Sequence, residues 1–507
     1  MAEMKHYTLG EYVKLLEEKG MLAEYDLQGK DGEEIKLLTY DSREVTQGTL
    51  FICKGAAFKA EYLKNSMNQG AVCYVSEKKY ELEKEVPYIL VKGIRDAMAV
   101  LANFFYNKPW EDLAVIGFGG TKGKSTSTYY MKAVVDDYLA AQDKPESAVI
   151  STIDIYDGKS KVESHITTPE AVELQMHLRN ALDCNIEYAE MEISSQALKY
   201  GRVDEMQFDV SVFLNISEDH ISPIEHPDFE DYFQSKMKMF EKSKTAVVNL
   251  DADYIDQILE ASKVAGEVVT FSTKNPDADY YAYNIHKEGK DIHFSVKCEA
   301  FDEEFVLTMP GFFNVENALG VVAASVKLGI PTEYIHSGLR RARSSGRMEF
   351  YHSKDHEVMA IVDYAHNKLS FEKLFSAMKE EFPDYGLVAI FGCPGKKSLL
   401  RRKYLGTIAG QYSKMVYLVA EDPGYEPVED ISKEIAQYVE AQKCPYKMIE
   451  DRGEAIKDAI ETAEGKTLLL VTGKGAETRQ KYGCEYLDCP SDVEYVQRYL
   501  AEYDSRH

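Results

Sequence analysis

"VIGFGGTKGKSTSTYYMKAV", residues 115–134, joins an apolar run to a hydroxyl-rich stretch through glycines and two lysines. The run from Leu113 to Phe118 predicts a buried strand, and the stretch from Ser125 predicts a helix with hydroxyls at its start. A strand that turns through glycines into a helix aims successive backbone N–H groups and the positive helix end at an anion. In such a turn Gly120, Thr121, Lys122, Gly123 and Lys124 would cradle phosphates. Lys124 would reach the β/γ-phosphates of ATP, and Ser125 or Thr126 would offer a hydroxyl to Mg²⁺. Phe118 stands where the strict eight-residue phosphate loop needs its first glycine, so a kinase- or GTPase-type loop fits poorly. The plain alternative is a glycine-rich turn beside a solvated lysine.

The rest of the chain sets bounds on that reading. Its 507 residues imply about three domains. Hydrophobic content of 45% and aromatic content of 11% are globular, while a formal charge of -26 argues against nucleic acid as the main partner. A small anion held by local donors remains compatible with that charge. The first twenty residues read as an amphipathic helix without the apolar core of a signal peptide, and no run of eighteen apolar residues occurs. A cytoplasmic protein without membrane insertion is therefore expected, as a monomer. The eight cysteines are scattered, and Cys484 and Cys489 have neither the spacing nor the nearby histidines of a zinc site. Reduced thiols are expected.

Three zones differ in pattern. Residues 1–106 mix short strands with helices. Residues 107–345 alternate helices with continuous apolar runs ("YAEMEI", "VSVFLNI", "TAVVNL"), as parallel strands buried on both faces require. Residues 346–507 repeat the alternation with "VMAIVDYA", "LVAIFG", "MVYLVAE" and "TLLLVTGKG". The expected fold class is α/β in three domains: a smaller α/β domain, a central phosphate-loop parallel-sheet domain and a C-terminal Rossmann-like domain. Ligands should lie at strand C-terminal ends and between domains.

Chemistry-bearing residues follow the loop in order. "MEISSQAL" puts Glu192 at a strand end, "NISEDH" puts Asp219 and His220 after the next strand, and "YFQSKMKMF" puts Lys236 on a helix. Taken singly, each is compatible with a solvated or salt-bridged role. Together with "GTKGKST", the set resembles the Mur ligase family, ATP-dependent amide-bond synthetases of peptidoglycan assembly. Their shorter loop does not need the glycine that Phe118 replaces. The resemblance covers nearly the whole chain and implies two Mg²⁺ ions. One would be held at Ser125. The other would be held by Glu192, His220 and a carbamate formed from CO₂ on Lys236. The physical need is clear: acyl-phosphate formation brings a carboxylate against a triphosphate, and cations must offset the repulsion. Carbamylation needs a neutral amine, which burial of a lysine favours.

Further resemblances assign the other zones. "GFFNVENAL", "GRMEF" and "VDYAHN" imply Asn317, Arg347, Asp363 and His366 at the nucleotide. "TTPE" and "GRV" match the branch that adds the third residue of the peptide stem. They imply Thr167, Thr168, Ser194 and Arg202 at the UDP-muramoyl-dipeptide acceptor. "YDSREVTQG" resembles the uridine-binding domain of that branch, with Ser42 at the UDP moiety and Arg43 structural or phosphate-facing. "FGCPGKKSLLRRKYLG" implies Arg402 as a clamp for the incoming amino acid's carboxylate, and "TGKGAE" implies Gly473 and Glu477 at its α-amino end. Departures from the family pattern are Lys59-Ala60, Ile166, Gln196, Pro394 and Lys396 to Ser398.

The stretch "AEDPGYEP" bears on specificity. Relatives that add diaminopimelate carry an arginine where Gly424 stands, whereas Glu421 and Asp422 offer negative charge to a cationic side chain. L-lysine is the expected amino acid, with ornithine and diaminopimelate as alternatives. The implied reaction is phosphorylation of the D-glutamate carboxylate of UDP-N-acetylmuramoyl-L-alanyl-D-glutamate, then attack by the amine. Two further readings stay open: a relative of the same fold with another acceptor, and a nucleotide-binding protein without catalysis.

Overall fold

The computed structural model of the chain describes residues 4–55, 58–164, 166–219, 221–222, 225–289, 291–344, 346–396 and 400–506. Strand Ala114–Gly119 lies at the centre of an 11-stranded sheet, parallel to Tyr188–Glu192 on one side and Phe208–Phe213 on the other. Val115, Ile116 and Phe118 are fully buried, as the continuous apolar run requires of a strand covered on both faces. Phe118 is thus part of the hydrophobic core beneath the loop. The parallel set continues through Ser243–Asn249, Glu267–Ser272 and Tyr280–Glu288, and on the other side to Ala148–Ile150.

Both edges of this sheet turn antiparallel. Asp291–Lys297 and Asp302–Leu307 fold back on Tyr280–Glu288, and Asp154–Tyr156 and Lys161–Glu163 fold back on Ala148–Ile150. These extensions have one wet face and alternate along the chain. Ile292, Phe294 and Val296 are buried while the residues between them are not. A search for continuous apolar runs passes over such strands.

A six-stranded sheet spans the C-terminal part. Its strands Val358–Asp363, Thr467–Thr472, Gly386–Phe391, Met415–Leu418 and Tyr446–Met448 are parallel, and Glu349–His352 is the antiparallel edge. A five-stranded sheet spans the N-terminal part, from Leu22–Asp26 to Leu37–Thr39. One hydrophobic cluster runs from Ile116 and Phe118 through Val315 and Leu319 of helix Phe313–Lys327 to Phe371 and Leu470. The central and C-terminal sheets therefore share apolar packing.

Strand Tyr188–Glu192 carries two carboxyls on one face, at Glu190 and Glu192. Glu190 lies between Ile116 and Val149 in the register. It is fully buried, and its two oxygens have no hydrogen-bond partner among the described residues. Burial pushes its pKa from an ordinary 4.5 up to about 8. The folded chain therefore keeps this proton over a range where the unfolded chain loses it. The stabilising difference is complete below about pH 4.5 and is lost as pH rises to about 8. Glu190→Gln should raise unfolding stability at pH 8.5 by about 1–3 kcal/mol and have little effect near pH 4.5. Denaturant titrations across that range check it.

Candidate functional site

The glycine turn is built as an anion cradle. Helix Lys124–Ala140 starts at Gly123, which has φ +86°, and Gly120 has φ +135°, so both sit where a side chain is strained. A Cβ on Gly123 would lie 2.2 Å from Asn317 Oδ1. The turn is pinned from below by Asn215, at the end of the neighbouring strand. Thr121 N donates to Asn215 O (2.9 Å), Lys122 N donates to Asn215 Oδ1 (2.9 Å), and Asn215 Nδ2 donates to Lys122 O (3.0 Å).

Three lysines converge on this turn. Lys124 Nζ donates to Gly120 O (3.0 Å) and Thr121 O (3.2 Å), and Lys236 Nζ donates to the same Gly120 O (2.8 Å). Lys122 Nζ lies 3.4 Å from Asp219 Oδ2. Lys236 sits in the last turn of helix Phe229–Met237, which Asp228 caps, and it is 3% exposed. Burial and then the Lys124 charge hold its pKa well below the usual lysine value. Burial also lowers Lys124 and brings Lys122 down to about 8. Cations packed this closely need either a neutral amine among them or an anion between them.

Asp219 is buried and ties this cluster to the C-terminal part. It faces Lys122, accepts from Asn367 Nδ2 at 2.5 Å, and pairs with Arg401 at 3.3 Å. His220 lies outside the described residues, as do Lys397 and Ser398.

The opposite wall of the cleft comes from beyond residue 310. Arg347 donates to Ser125 Oγ (3.1 Å) and stacks on the Tyr364 ring at 4.2 Å. Asp363 shapes its own turn by accepting from Met348 N and Ala365 N, and burial raises its pKa. His366 Nδ1 donates to Tyr364 O (2.7 Å). Burial and then Lys122 hold its imidazole neutral, well below the usual value. The two walls enclose a cavity of about 250 Å³, lined by Thr121 to Thr126, Thr167, Glu192, Asn317, Arg347, Asp363 and His366, among others. Ser125 and Glu192 thus reach one space. Hydroxyl and carboxylate oxygens beside a phosphate cradle suit Mg²⁺, which binds through one or two carboxylates and phosphate oxygens.

Glu192 also leads into a second network. Its carboxylate accepts from Thr152 N (2.8 Å) and Thr152 Oγ1 (3.2 Å), and its carbonyl accepts from Thr168 Oγ1 (2.8 Å). Ser194 N donates to Thr168 Oγ1, and Arg202 donates to Thr168 O and pairs with Glu170. Thr152 Oγ1 lies 3.2 Å from Thr167 Oγ1, within hydrogen-bond distance. The fold brings Thr167, Thr168, Ser194 and Arg202 together around one strand end. Ser42 stands apart, half-buried in the turn before strand Thr49–Ile52. Arg43 is held by Asp41. Gln196 Nε2 donates to Glu225 Oε1 at 3.2 Å.

In the C-terminal part, Arg402 departs from its expected role. It is 2% exposed, with Nη1 and Nη2 bound to Glu426 and Glu434. A guanidinium already engaged by two protein carboxylates is not a free clamp, and the adjacent Arg401 pairs instead with Asp219. Glu421 is buried, and burial pushes its carboxyl up to about 8. A Cβ on Gly473 (φ +103°) would lie 2.2 Å from Glu421 Oε2, so that glycine makes room for the acid. Lys474 pairs with Asp422 at 3.1 Å and with Glu477. Gly424 accepts from Gly483 N and donates to Lys481 O, joining the acidic turn to the hairpin behind it.

Asn215, Thr152, Asn367, Arg401 and Lys474 support this site without having been singled out in the sequence. Asn215 had a visible signal: an amide directly after an apolar strand in the same motif as Asp219. The others act through contacts distant in sequence.

Residues 119–325 match the Mur ligase middle domain, and residues 346–475 match the family described as Mur ligase, glutamate ligase domain. The chain is 38% identical to a UDP-N-acetylmuramoyl-L-alanyl-D-glutamate--L-lysine ligase of Enterococcus faecalis, over 88% of each chain. It is 31% identical to a UDP-N-acetylmuramyl-tripeptide synthetase of Lactobacillus acidophilus, over 98% of each. A solved UDP-N-acetylmuramoyl-L-alanyl-D-glutamate--2,6-diaminopimelate ligase shares the fold, with TM-score 0.66, 22% identity, and coverage of 99% of this chain and 100% of that one.

The cradle depends on the Asn215 side chain. Asn215→Ala removes two hydrogen bonds to Lys122 and should weaken ADP binding about tenfold with little loss of stability. Calorimetric titration with ADP, beside a thermal melt, checks both halves.

Proposed function

The chain belongs to the Mur ligase family, and from that premise we propose that it adds L-lysine to UDP-N-acetylmuramoyl-L-alanyl-D-glutamate at the expense of ATP. The convergence of Lys122, Lys124 and Lys236 on one glycine turn, with Glu192 opening toward Thr167 and Thr168, carries the reading. Two anions must meet there, a triphosphate and a carboxylate. The names of the relatives support lysine as the amino acid.

In this reading the backbone of residues 120–124 and Lys124 hold the triphosphate, while Arg347 reaches it from the C-terminal side. Asn317 and His366 border the rest of the nucleotide. Ser125 and Glu192 would hold Mg²⁺ at two positions, joined by His220 and by Lys236 as a carbamate. The ions would supply charge compensation between phosphate and carboxylate. Lys236 suits carbamylation because its surroundings favour the neutral amine. Thr167, Thr168, Ser194 and Arg202 would place the muramoyl-dipeptide, and Ser42 the UDP end. A D-glutamate oxygen displaces ADP from the γ-phosphorus. The lysine amine then bonds to the acyl carbon, phosphate leaves with the bonding pair, and the amine loses its surplus proton. Positioning and water exclusion by the shared apolar packing protect the acyl-phosphate.

Glu421, Asp422, Gly473 and Glu477 would receive the amino acid, with Lys474 yielding its two carboxylates to the incoming ammonium groups. Arg402 would act by fixing Glu426 in the wall of this site. The N-terminal, central and C-terminal units would divide the work as UDP, ATP and amino-acid domains, in a chain that acts as a monomer.

Turnover of the muramoyl-dipeptide with lysine, ornithine or diaminopimelate, read by mass spectrometry, tests the proposal. Lysine should give the most product, and a larger yield with diaminopimelate would overturn the specificity. Lys236→Ala should lower turnover by at least about 10²–10³-fold while ADP binding persists, and parent protein should carry the added mass of CO₂. The buried Glu421 gives a pH signature. A cationic side chain binds its ionised form, so KM for lysine should fall from pH 6 to about 8 and then level off. Glu421→Gln should flatten that profile in steady-state assays.

A further inference from the structure

The antiparallel extension at the edge of the central sheet carries a second group of ligand-bearing side chains, none of which lines the nucleotide cavity. Asn284, at φ +52°, sits in a break of register between Tyr283 and His286. Such bulges re-aim the side chains that follow. After it, His286 lies directly opposite His293 across the strand pair, with ring centroids 5.5 Å apart. The next strand, Asp302–Leu307, brings Glu304 to the same face, with Oε2 3.3 Å from His293 Nδ1. One ligand atom from each of His286, His293 and Glu304 lies within 4.8 Å of the others.

Two details go beyond proximity. His286 Nδ1 lies 2.9 Å from Asn284 O. A carbonyl only accepts, so Nδ1 carries the proton and Nε2 keeps its lone pair, the arrangement found behind most metal-bound imidazoles. The 3.3 Å between His293 and Glu304 is long for a charge-assisted hydrogen bond. It matches the separation of about 3.3 Å between two ligands that share a tetrahedral ion at bonds of about 2.0 Å. Glu288 stands 3.7 Å from His293 Nε2 and adds negative charge. We propose that this face binds one divalent transition-metal ion through His286, His293 and Glu304. Two imidazoles and a carboxylate select Zn²⁺, Co²⁺ or Ni²⁺ over Mg²⁺.

The neighbouring Lys287 reaches Glu381 of helix Lys368–Glu381 at 3.2 Å, so an ion at this face would stiffen the part of the extension that leans on the C-terminal unit. Equilibrium dialysis of the full, untagged chain against Zn²⁺ in excess Mg²⁺ tests the site. Zn²⁺ should bind at one equivalent. His286→Ala and His293→Ala should each weaken it at least about tenfold, and Glu304→Gln should weaken it less. Cys484→Ser, which removes the exposed thiol, should leave it unchanged. Co²⁺ should give visible bands of a tetrahedral ion in parent protein and in Cys484→Ser, and none in the His286→Ala/His293→Ala double variant. Zn²⁺ binding that survives the His286→Ala/His293→Ala double variant, or that disappears in Cys484→Ser, overturns the proposal.

Discussion

Two lysine side chains, Lys124 and Lys236, donate through Nζ to the single carbonyl oxygen of Gly120, and a third lysine stands two residues along the same turn. The rest of the structure answers that crowding. Gly120 and Gly123 give the backbone the conformations that let the carbonyl turn inward while the N–H groups turn outward. Asn215 fixes the turn against the adjacent strand, so that the charges cannot relax by moving the loop. Burial then depresses the lysines, and beside the Lys124 charge it holds the pKa of Lys236 well below the usual value for an amine. The cost of holding such a cluster is repaid when an anion arrives, which is how a site becomes selective for highly charged ligands.

Asp219 and the shared hydrophobic cluster give the site its second wall. An acid that touches Lys122, Asn367 and Arg401 couples the phosphate side of the cleft to the C-terminal sheet through charge, while Val315, Leu319 and Phe371 couple them through packing. The polar link is directional and the apolar link is not. Together they join the glycine turn to the C-terminal sheet, which also carries the acidic turn at Glu421.

Much of this was legible in the sequence, and the reasons differ by element. The parallel strands announced themselves because burial on both faces demands unbroken apolar runs. The glycine turn announced itself because few other residues tolerate its backbone. The α/β class and the Mur ligase resemblance followed from the order of those elements and motifs. The antiparallel edges were not found, because strands with one wet face hide in alternating patterns such as "DIHFSVK". Arg402 and Arg401 could not be told apart by motif alone. Which of two adjacent helical arginines turns to which acid depends on the partners that the fold supplies: Glu426 and Glu434 claim Arg402, and Asp219 takes Arg401. The assignments to bound substrates rest on the resemblance, since sequence position does not reveal what a side chain meets once a ligand is present.

Gly473 and Glu421 show how one missing atom can govern another residue's chemistry. The carboxyl of Glu421 lies where a Cβ on residue 473 would stand. Any side chain at 473 would require the Glu421 carboxyl to shift, in addition to the strain of a residue other than glycine at φ +103°. The two positions are therefore coupled sterically: the space that the Glu421 carboxyl fills exists because residue 473 carries no side chain, so what is allowed at one position depends on what stands at the other.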